Sequence, residues 1–291
     1  MDFNELLPKV NLENFPVALG GCKSDDITYD CCEYNITIFD GKKEGDTIIN
    51  FGNDLVKIHH GDLTETDSKN LKQFENLKIL YDEKWDLHML QSKIKERNKQ
   101  ITRAAAKSCL VDASVCITKI DDSFSNSDSF SSSWLKCAAY FLADAICLLN
   151  LIRPSPSHSL QSIRKFNVNE FQQDITIITE IIGLERATTS LLSRMCKSTI
   201  GFSDMIEKND HSKIIQKKYE YLTEKSLLSD CYFYFGYINR NNFIKIKNDI
   251  SKMPELIHIL KTAFDLENDE FKMSSQVKTL QNSVNSLLER T

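Results

Sequence analysis

A chain of 291 residues with 41% hydrophobic content is long enough to bury a core of its own, as one large or two modest domains. Its 36 basic and 41 acidic residues leave a formal net charge of −5, which argues against a protein that coats nucleic acid and leaves room only for a local basic groove. The nine cysteines are an odd count without disulfide-framework spacing, and the opening MDFNELLPKV has neither a basic region nor an apolar stretch, so the expectation is a protein of the reducing cytoplasm without a secretory signal.

Most of the glycines precede residue 62, so the turn-rich, strand-rich part is expected at the N-terminus and helices thereafter. Phe15, Val17, Ala18 and Leu19 form a short apolar segment that stops at Gly20-Gly21, a pair that lets the backbone turn tightly and approach a ligand. Cys22, Lys23 and Ser24 are small or polar and suit the opening of a short helix whose free N–H groups face that turn. Tyr34, Ile36 and Ile38 then alternate with Glu33, Asn35 and Thr37, which predicts a strand with one buried face and puts Glu33 and Asn35 on the same side. Residues 47–51 and 55–59 read as two strands around the turn Gly52-Asn53-Asp54, 69–75 as a short helix and 77–82 as a last strand.

From Trp85 the period changes to three and four. Residues 85–119 contain no glycine or proline and predict long helix. Residues 121–133 are serine-rich and predict an exposed loop, with Ser132 or Ser133 as the cap of the next helix. That helix, 134–152, is apolar nearly all round and close to the length of a membrane span, but Lys136, Asp144 and Asn150 interrupt it; a buried central helix is expected and no membrane partner. Arg153-Pro154-Ser155-Pro156-Ser157-His158 stops it.

Further helices are predicted at 169–182, 184–196, 211–228, 231–247, 254–266 and 272–290. In the last, Val277, Leu280, Val284 and Leu287 make a seam that packs on the chain's own bundle or, alternatively, on a second copy or a protein partner. The aromatics Tyr219, Tyr221, Tyr232, Phe233, Tyr234, Phe235 and Tyr237, with Lys217, Lys218, Arg240 and Lys245, admit base stacking beside phosphate contacts, although such density in helices favours core. The resulting division is an α+β domain at 1–84 and an α-helical domain at 85–291.

The run Leu19-Gly20-Gly21, the spacer from Cys22 to Cys32 and the strand residues Glu33-Tyr34-Asn35 resemble the signature of the nucleotidyltransferase superfamily that includes DNA polymerase β and kanamycin nucleotidyltransferase. That signature is an apolar residue, Gly, then Gly or Ser, about ten residues, and two acids flanking one apolar residue on a strand. Ile79-Leu80-Tyr81-Asp82 before a helix, and LADAICLLNLIRPSPSH, are similar to the end of that superfamily's catalytic domain and to the helical bundle beside its cleft.

The resemblance implies a small mixed β-sheet followed by a helical bundle. It also implies a nucleoside triphosphate on the turn formed by Gly20, Gly21, Cys22, Lys23 and Ser24, and Mg²⁺ held by two acids and a third carboxylate on a later strand. Glu33 stands at the first acid as catalytic and metal-ligating residue; Asn35, at the second, is neutral and a poor ligand for a hard dication. At the third, the counterpart is Lys57 or His59, with Asp54 and Asp62 near the strand ends. Each lost charge at about 4 Å removes on the order of 4 kcal/mol of attraction at an effective dielectric of 20.

The expectation is therefore a nucleotidyltransferase-fold protein with a degenerate site that binds a nucleotide or a macromolecular partner. The alternatives are an active, divergent Mg²⁺-dependent transferase acting on a small molecule, protein or RNA end, and a helical interaction scaffold that binds no nucleotide. Asp144 is a substrate-facing acid or a buried partner for an arginine. Cys22, Cys31 and Cys32, or His59, His60 and Asp62, lack Cys-x2-Cys or His-x3-His spacing, so cysteines at the edge of a core strand are expected rather than zinc. No Walker loop, serine-hydrolase elbow or His-Glu-x-x-His motif is present.

Overall fold

Alternation in the first third of the chain builds a five-stranded mixed sheet of order β3-β4-β2-β1-β5. Its elements are α1 (Phe3–Val10), β1 (Val17–Gly20), β2 (Tyr34–Ile38), β3 (Thr47–Phe51), β4 (Asp54–His60), α2 (Ser68–Phe74) and β5 (Lys78–Tyr81). The computed structural model describes residues 1–10, 14–25, 28–126, 130–166, 170–207, 209–267 and 269–291, without the side chains of 122–126 and 251. Only β2 and β4 run parallel; the remaining pairs are antiparallel.

The two-residue period sorts the faces of the sheet. Val17, Leu19, Ile36, Ile38, Val56 and Ile58 close over Leu6 of α1, whereas Ala18 faces the other way with Phe39, Leu77 and Leu87. Glu33, Asn35, Thr37, Lys57 and His59 all line a cleft, as expected for the polar side of β2 and β4.

Ten helices follow in the described residues: α3 (Asp86–Glu96), α4 (Asn98–Asn126), α5 (Ser131–Leu149), α6 (Ser159–Ile163), α7 (Gln172–Ile182), α8 (Thr189–Glu207), α9 (His211–Glu224), α10 (Leu228–Lys245), α11 (Leu256–Ala263) and α12 (Glu270–Arg290). The hub is α5, which packs on α4, α6, α7, α10 and α12. It is the one described helix long and apolar enough to cross a membrane, and 83% of its apolar window is buried inside the protein. A helix without a polar face needs neighbours on every side, and these five supply them. Close approach of α10 depends on Gly236, where a Cβ would lie 1.9 Å from the Tyr140 hydroxyl oxygen. Val277, Leu280, Val284 and Leu287 of α12 are buried in this same core.

Several boundaries differ from the sequence expectation. The predicted long helix breaks at Arg97, although no glycine or proline is present; at the break Asn98 Oδ1 accepts from Lys72 Nζ of α2 and from Thr102 Oγ1 of α4 itself, each at 3.0 Å. The loop expected at 121–133 is helical over most of its described length, since α4 runs to Asn126 and α5 starts at Ser131; residues 127–129 lie outside the described residues. Neither Ser132 nor Ser133 caps α5: Ser132 Oγ donates to the Glu267 carbonyl, Ser133 is fully buried, and Phe130 precedes the helix. Burial of Phe130 and Trp134 outweighs the weak loop preference of serine.

The helix expected at 184–196 is a short 3-10 turn, Leu184–Arg186, followed by α8; Gly183, at φ 80°, ends α7, and Gly201 leaves α8 unbroken. The short helices α1 and α6 are not among the expected elements.

Candidate functional site

A cleft of about 1050 Å³ opens between the polar face of the sheet and the helices α2, α5, α9 and α10, with residues 153–157 along one edge. Gly20, Gly21, Cys22, Glu33 and Asn35 all line it. The antiparallel register sets Gly20 opposite Asn35, and Gly21 has φ +66°. A Cβ on Gly21 would lie 2.3 Å from Asn35 Nδ2, so the backbone conformation and the seated amide both require glycine here.

Asn35 belongs to a polar chain across the sheet. The parallel register sets Lys57 beside Asn35 and His59 beside Thr37. His59 Nε2 faces Asn35 Oδ1 at 3.0 Å, and its Nδ1 faces Asp46 Oδ1 at 2.8 Å. Lys57 Nζ pairs with the other Asp46 oxygen at 2.9 Å. Burial raises the Asp46 pKa, but the hydrogen bond with His59 and the charge of Lys57 outweigh it and hold the carboxyl well below the usual carboxylate range.

Glu33 is held from the helical side. Lys218 of α9 reaches its carboxylate at 2.8 Å, with only 2% of Lys218 exposed. The ammonium also lies 3.8 Å from Cys32 Sγ and 5.9 Å from the Tyr234 ring centroid. Burial opposes both charges, yet each partner outweighs it on the other: Glu33 titrates below its ordinary value and Lys218 well above. Burial of an ammonium this deep is tolerable only with such a partner.

These residues do not fit the magnesium ions that the resemblance implies. Magnesium needs near-octahedral oxygen ligation with carboxylate charge. Here Glu33 is bound by an ammonium, Asn35 is a neutral amide, the strand position beside it is Lys57, and Asp46 is clamped by Lys57 and His59. Asp62 is tied to the backbone N–H and hydroxyl of Thr64, and Asp54 lies at the N-terminal amine, 3.9 Å away. Internal cations therefore already hold the carboxylates of Glu33 and Asp46.

The other expected residues separate. Lys23 and Ser24 do not line the cleft: Lys23 Nζ donates to the Tyr29 carbonyl and covers the Tyr34 ring, and Ser24 Oγ donates back to the Gly21 carbonyl. The segment Gly21–Ser24 is a 3-10 turn, too short to offer a row of free N–H groups. Asp144 is the buried partner of Arg240, 2.5 Å away, and accepts from the Tyr237 hydroxyl. The Arg240 guanidinium stacks over Phe141 and Tyr237 at 4.6 and 4.0 Å. Tyr232, Phe233 and Phe235 are core, while Tyr234 and Tyr237 are buried at the cleft wall.

Three residues of the site escaped the sequence expectation: Asp46, Arg153 and the role of Lys218. For Lys218 a signal existed, since it falls with Ile214, Ile215 and Leu222 on the buried stripe of α9, where a lysine needs a buried acid. For Asp46, in a polar connection, there was none. Arg153 pairs with Asp25 and lines the cleft.

No protein-family model and no curated protein matches this chain. Among solved structures, the chain is similar to a nucleotidyltransferase-like protein from Exiguobacterium sibiricum 255-15, at 10% identity over 88% of this chain and 89% of that one, with a TM-score of 0.35, a likeness too remote to bear on the site.

Proposed function

We propose that the cleft binds a nucleotide without magnesium and transfers nothing, as a nucleotidyltransferase-like site whose metal positions have been taken over by internal ion pairs. The observation that carries this reading is the Lys218 ammonium, 2% exposed and 2.8 Å from the Glu33 carboxylate. A dication at Glu33 would have to displace or face that ammonium, and like charges at such range cost several kcal/mol even at an effective dielectric of about 20. Phosphoryl transfer by the two-metal route also needs carboxylates on both ions, and Asn35 and Lys57 supply none.

Nucleotide rather than metal is favoured by the walls. The cleft of about 1050 Å³ has room for a nucleotide. Lys42, Lys69, Arg153 and Lys245 line it, each paired with a carboxylate (Asp40, Asp112, Asp25 and Glu207) that a phosphate would have to displace, and the side-chain-free Gly20-Gly21 turn allows close backbone approach.

The test is a thermal-shift and calorimetric titration of the full chain with ATP, GTP, CTP and UTP, in EDTA and in Mg²⁺, alongside a pyrophosphate-release assay. Binding in EDTA without pyrophosphate release is the expected result. Mg²⁺-dependent release that disappears in Glu33→Ala overturns the loss of catalysis, and failure of every nucleotide to bind overturns the binding role.

A further inference from the structure

Beside the glycine turn lies a second cluster that the nucleotide reading does not use. Cys22 follows Gly21 in the 3-10 turn, Cys32 precedes Glu33, and His158 closes the Pro154–Pro156 segment at the start of α6. Their ligand atoms all lie within 4.8 Å of one another. Cys32 Sγ is 3.4 Å from His158 Nε2, and Ser155 Oγ is 3.5 Å from Cys22 Sγ. The three residues are 8%, 3% and 5% exposed.

We propose that Cys22, Cys32 and His158 form a zinc site that pins the glycine-turn segment to the Ser155–His158 segment of the helical part. Two ligands on one tetrahedral zinc, at about 2.3 Å for sulfur and about 2.0–2.1 Å for nitrogen, stand roughly 3.5 Å apart, close to the 3.4 Å between Cys32 Sγ and His158 Nε2. The donor set of two sulfurs and an imidazole suits a borderline-soft cation and not magnesium. Charge also balances: two thiolates neutralise the dication, while Glu33 neutralises Lys218.

Lys218 Nζ, 3.8 Å from Cys32 Sγ, is set to donate to a zinc-bound thiolate, and the His158 ring is oriented by packing on Tyr29, with centroids 4.3 Å apart, while its buried Nδ1 has no hydrogen-bond partner among the described residues. Three protein ligands leave a fourth position for water, and Cys22 and Ser155 both line the cleft. The ligands come from residues 22, 32 and 158, so no short-spacing motif announces them.

The inference is independent of the nucleotide reading, because its readouts involve no nucleotide. The full chain, produced in zinc-supplemented medium and purified under reductant without chelator, is expected to carry one zinc per chain by elemental analysis. Replacement by Co²⁺ is expected to give a thiolate-to-cobalt charge-transfer band and tetrahedral visible bands. Cys22→Ala, Cys32→Ala and His158→Ala should each weaken metal binding by more than about tenfold in competition with a chromogenic chelator, while Cys109→Ser, in a different part of the core, leaves it unchanged. If a variant fails to fold, the wild-type stoichiometry and cobalt spectrum still decide. Zinc below about 0.1 equivalent in folded, reduced protein, cobalt bound without the charge-transfer band, or a Cys22–Cys32 disulfide found by peptide mapping would each overturn the assignment.

Discussion

Replacing Glu33 by Gln separates an internal ion pair from a metal-binding carboxylate. At the 2.8 Å seen between Glu33 and Lys218, the gross Coulomb attraction at an effective dielectric of 20 is about 6 kcal/mol, most of it offset by the desolvation of both charges. Glu33→Gln keeps the shape but leaves the Lys218 ammonium, 2% exposed, without its counter-charge. Breaking one side of a buried pair costs about 3–5 kcal/mol, which for a chain of this size lowers the melting temperature by on the order of 10 °C. Glu33→Gln combined with Lys218→Met should recover most of that loss, since a neutral pair of similar volume is close to isoenergetic with a buried ion pair.

The assay is urea unfolding at neutral pH with the double-mutant cycle, repeated with and without Mg²⁺. The pH dependence has a fixed sign. Glu33 titrates below its ordinary value in the folded chain, so its contribution is present above the unfolded carboxyl pKa and is lost as pH falls through the folded one; Lys218 titrates above its ordinary value, so its share is lost only as pH rises through that folded pKa. Glu33→Gln should therefore flatten the acid limb of the stability profile. A site built to hold metal behaves in the opposite way. If Glu33→Gln is neutral or stabilising, and Mg²⁺ stabilises the wild type but not the variant, the ion-pair reasoning is refuted.

Three further outcomes follow from the same geometry. Asp144→Asn leaves Arg240 buried without its carboxylate and should cost about 3–5 kcal/mol in chemical denaturation while leaving nucleotide affinity within about twofold; a large affinity loss without destabilisation would make Asp144 a substrate contact instead. Gly21→Ala, with φ +66° and a Cβ 2.3 Å from Asn35 Nδ2, should destabilise by at least about 1–2 kcal/mol and weaken nucleotide binding, both read from calorimetry. Asn35→Asp adds the second acid of the superfamily pattern but leaves Lys57 and Lys218 in place, so Mg²⁺-dependent pyrophosphate release should remain absent; its appearance would show that one charge was all the site lacked.

Much of the sheet was legible because its signals are local. Alternation from Glu33 to Ile38 marks β2 and its two faces, and Gly52-Asn53-Asp54 marks the turn between β3 and β4. The apolar circumference of α5 marks a helix that must be surrounded. Where expectation failed, a distant partner decided. At the break between α3 and α4, Lys72, far back in the chain, holds the Asn98 side chain. Ser131 to Ser133 enter a helix because Phe130 and Trp134 are buried by the rest of the bundle. Lys23 and Ser24 turn away because the segment after the glycines closes as a 3-10 turn on its own carbonyls.

The same contrast governs the site. By itself the sequence determined the glycine turn, the strand that carries Glu33 and Asn35, and the absence of an acid at position 35, since each depends on residue type and short spacing. Only the tertiary structure decided what those residues face. Lys218 meets Glu33 across 185 positions of sequence, Asp46 reaches Lys57 and His59 from a connecting segment, and His158 meets Cys32 across 126 positions and lies beside Cys22 as well. The physical reason is that charge pairing and ligation act through a few ångströms of space, whereas the periodicity visible in a sequence reports only which side of an element is buried.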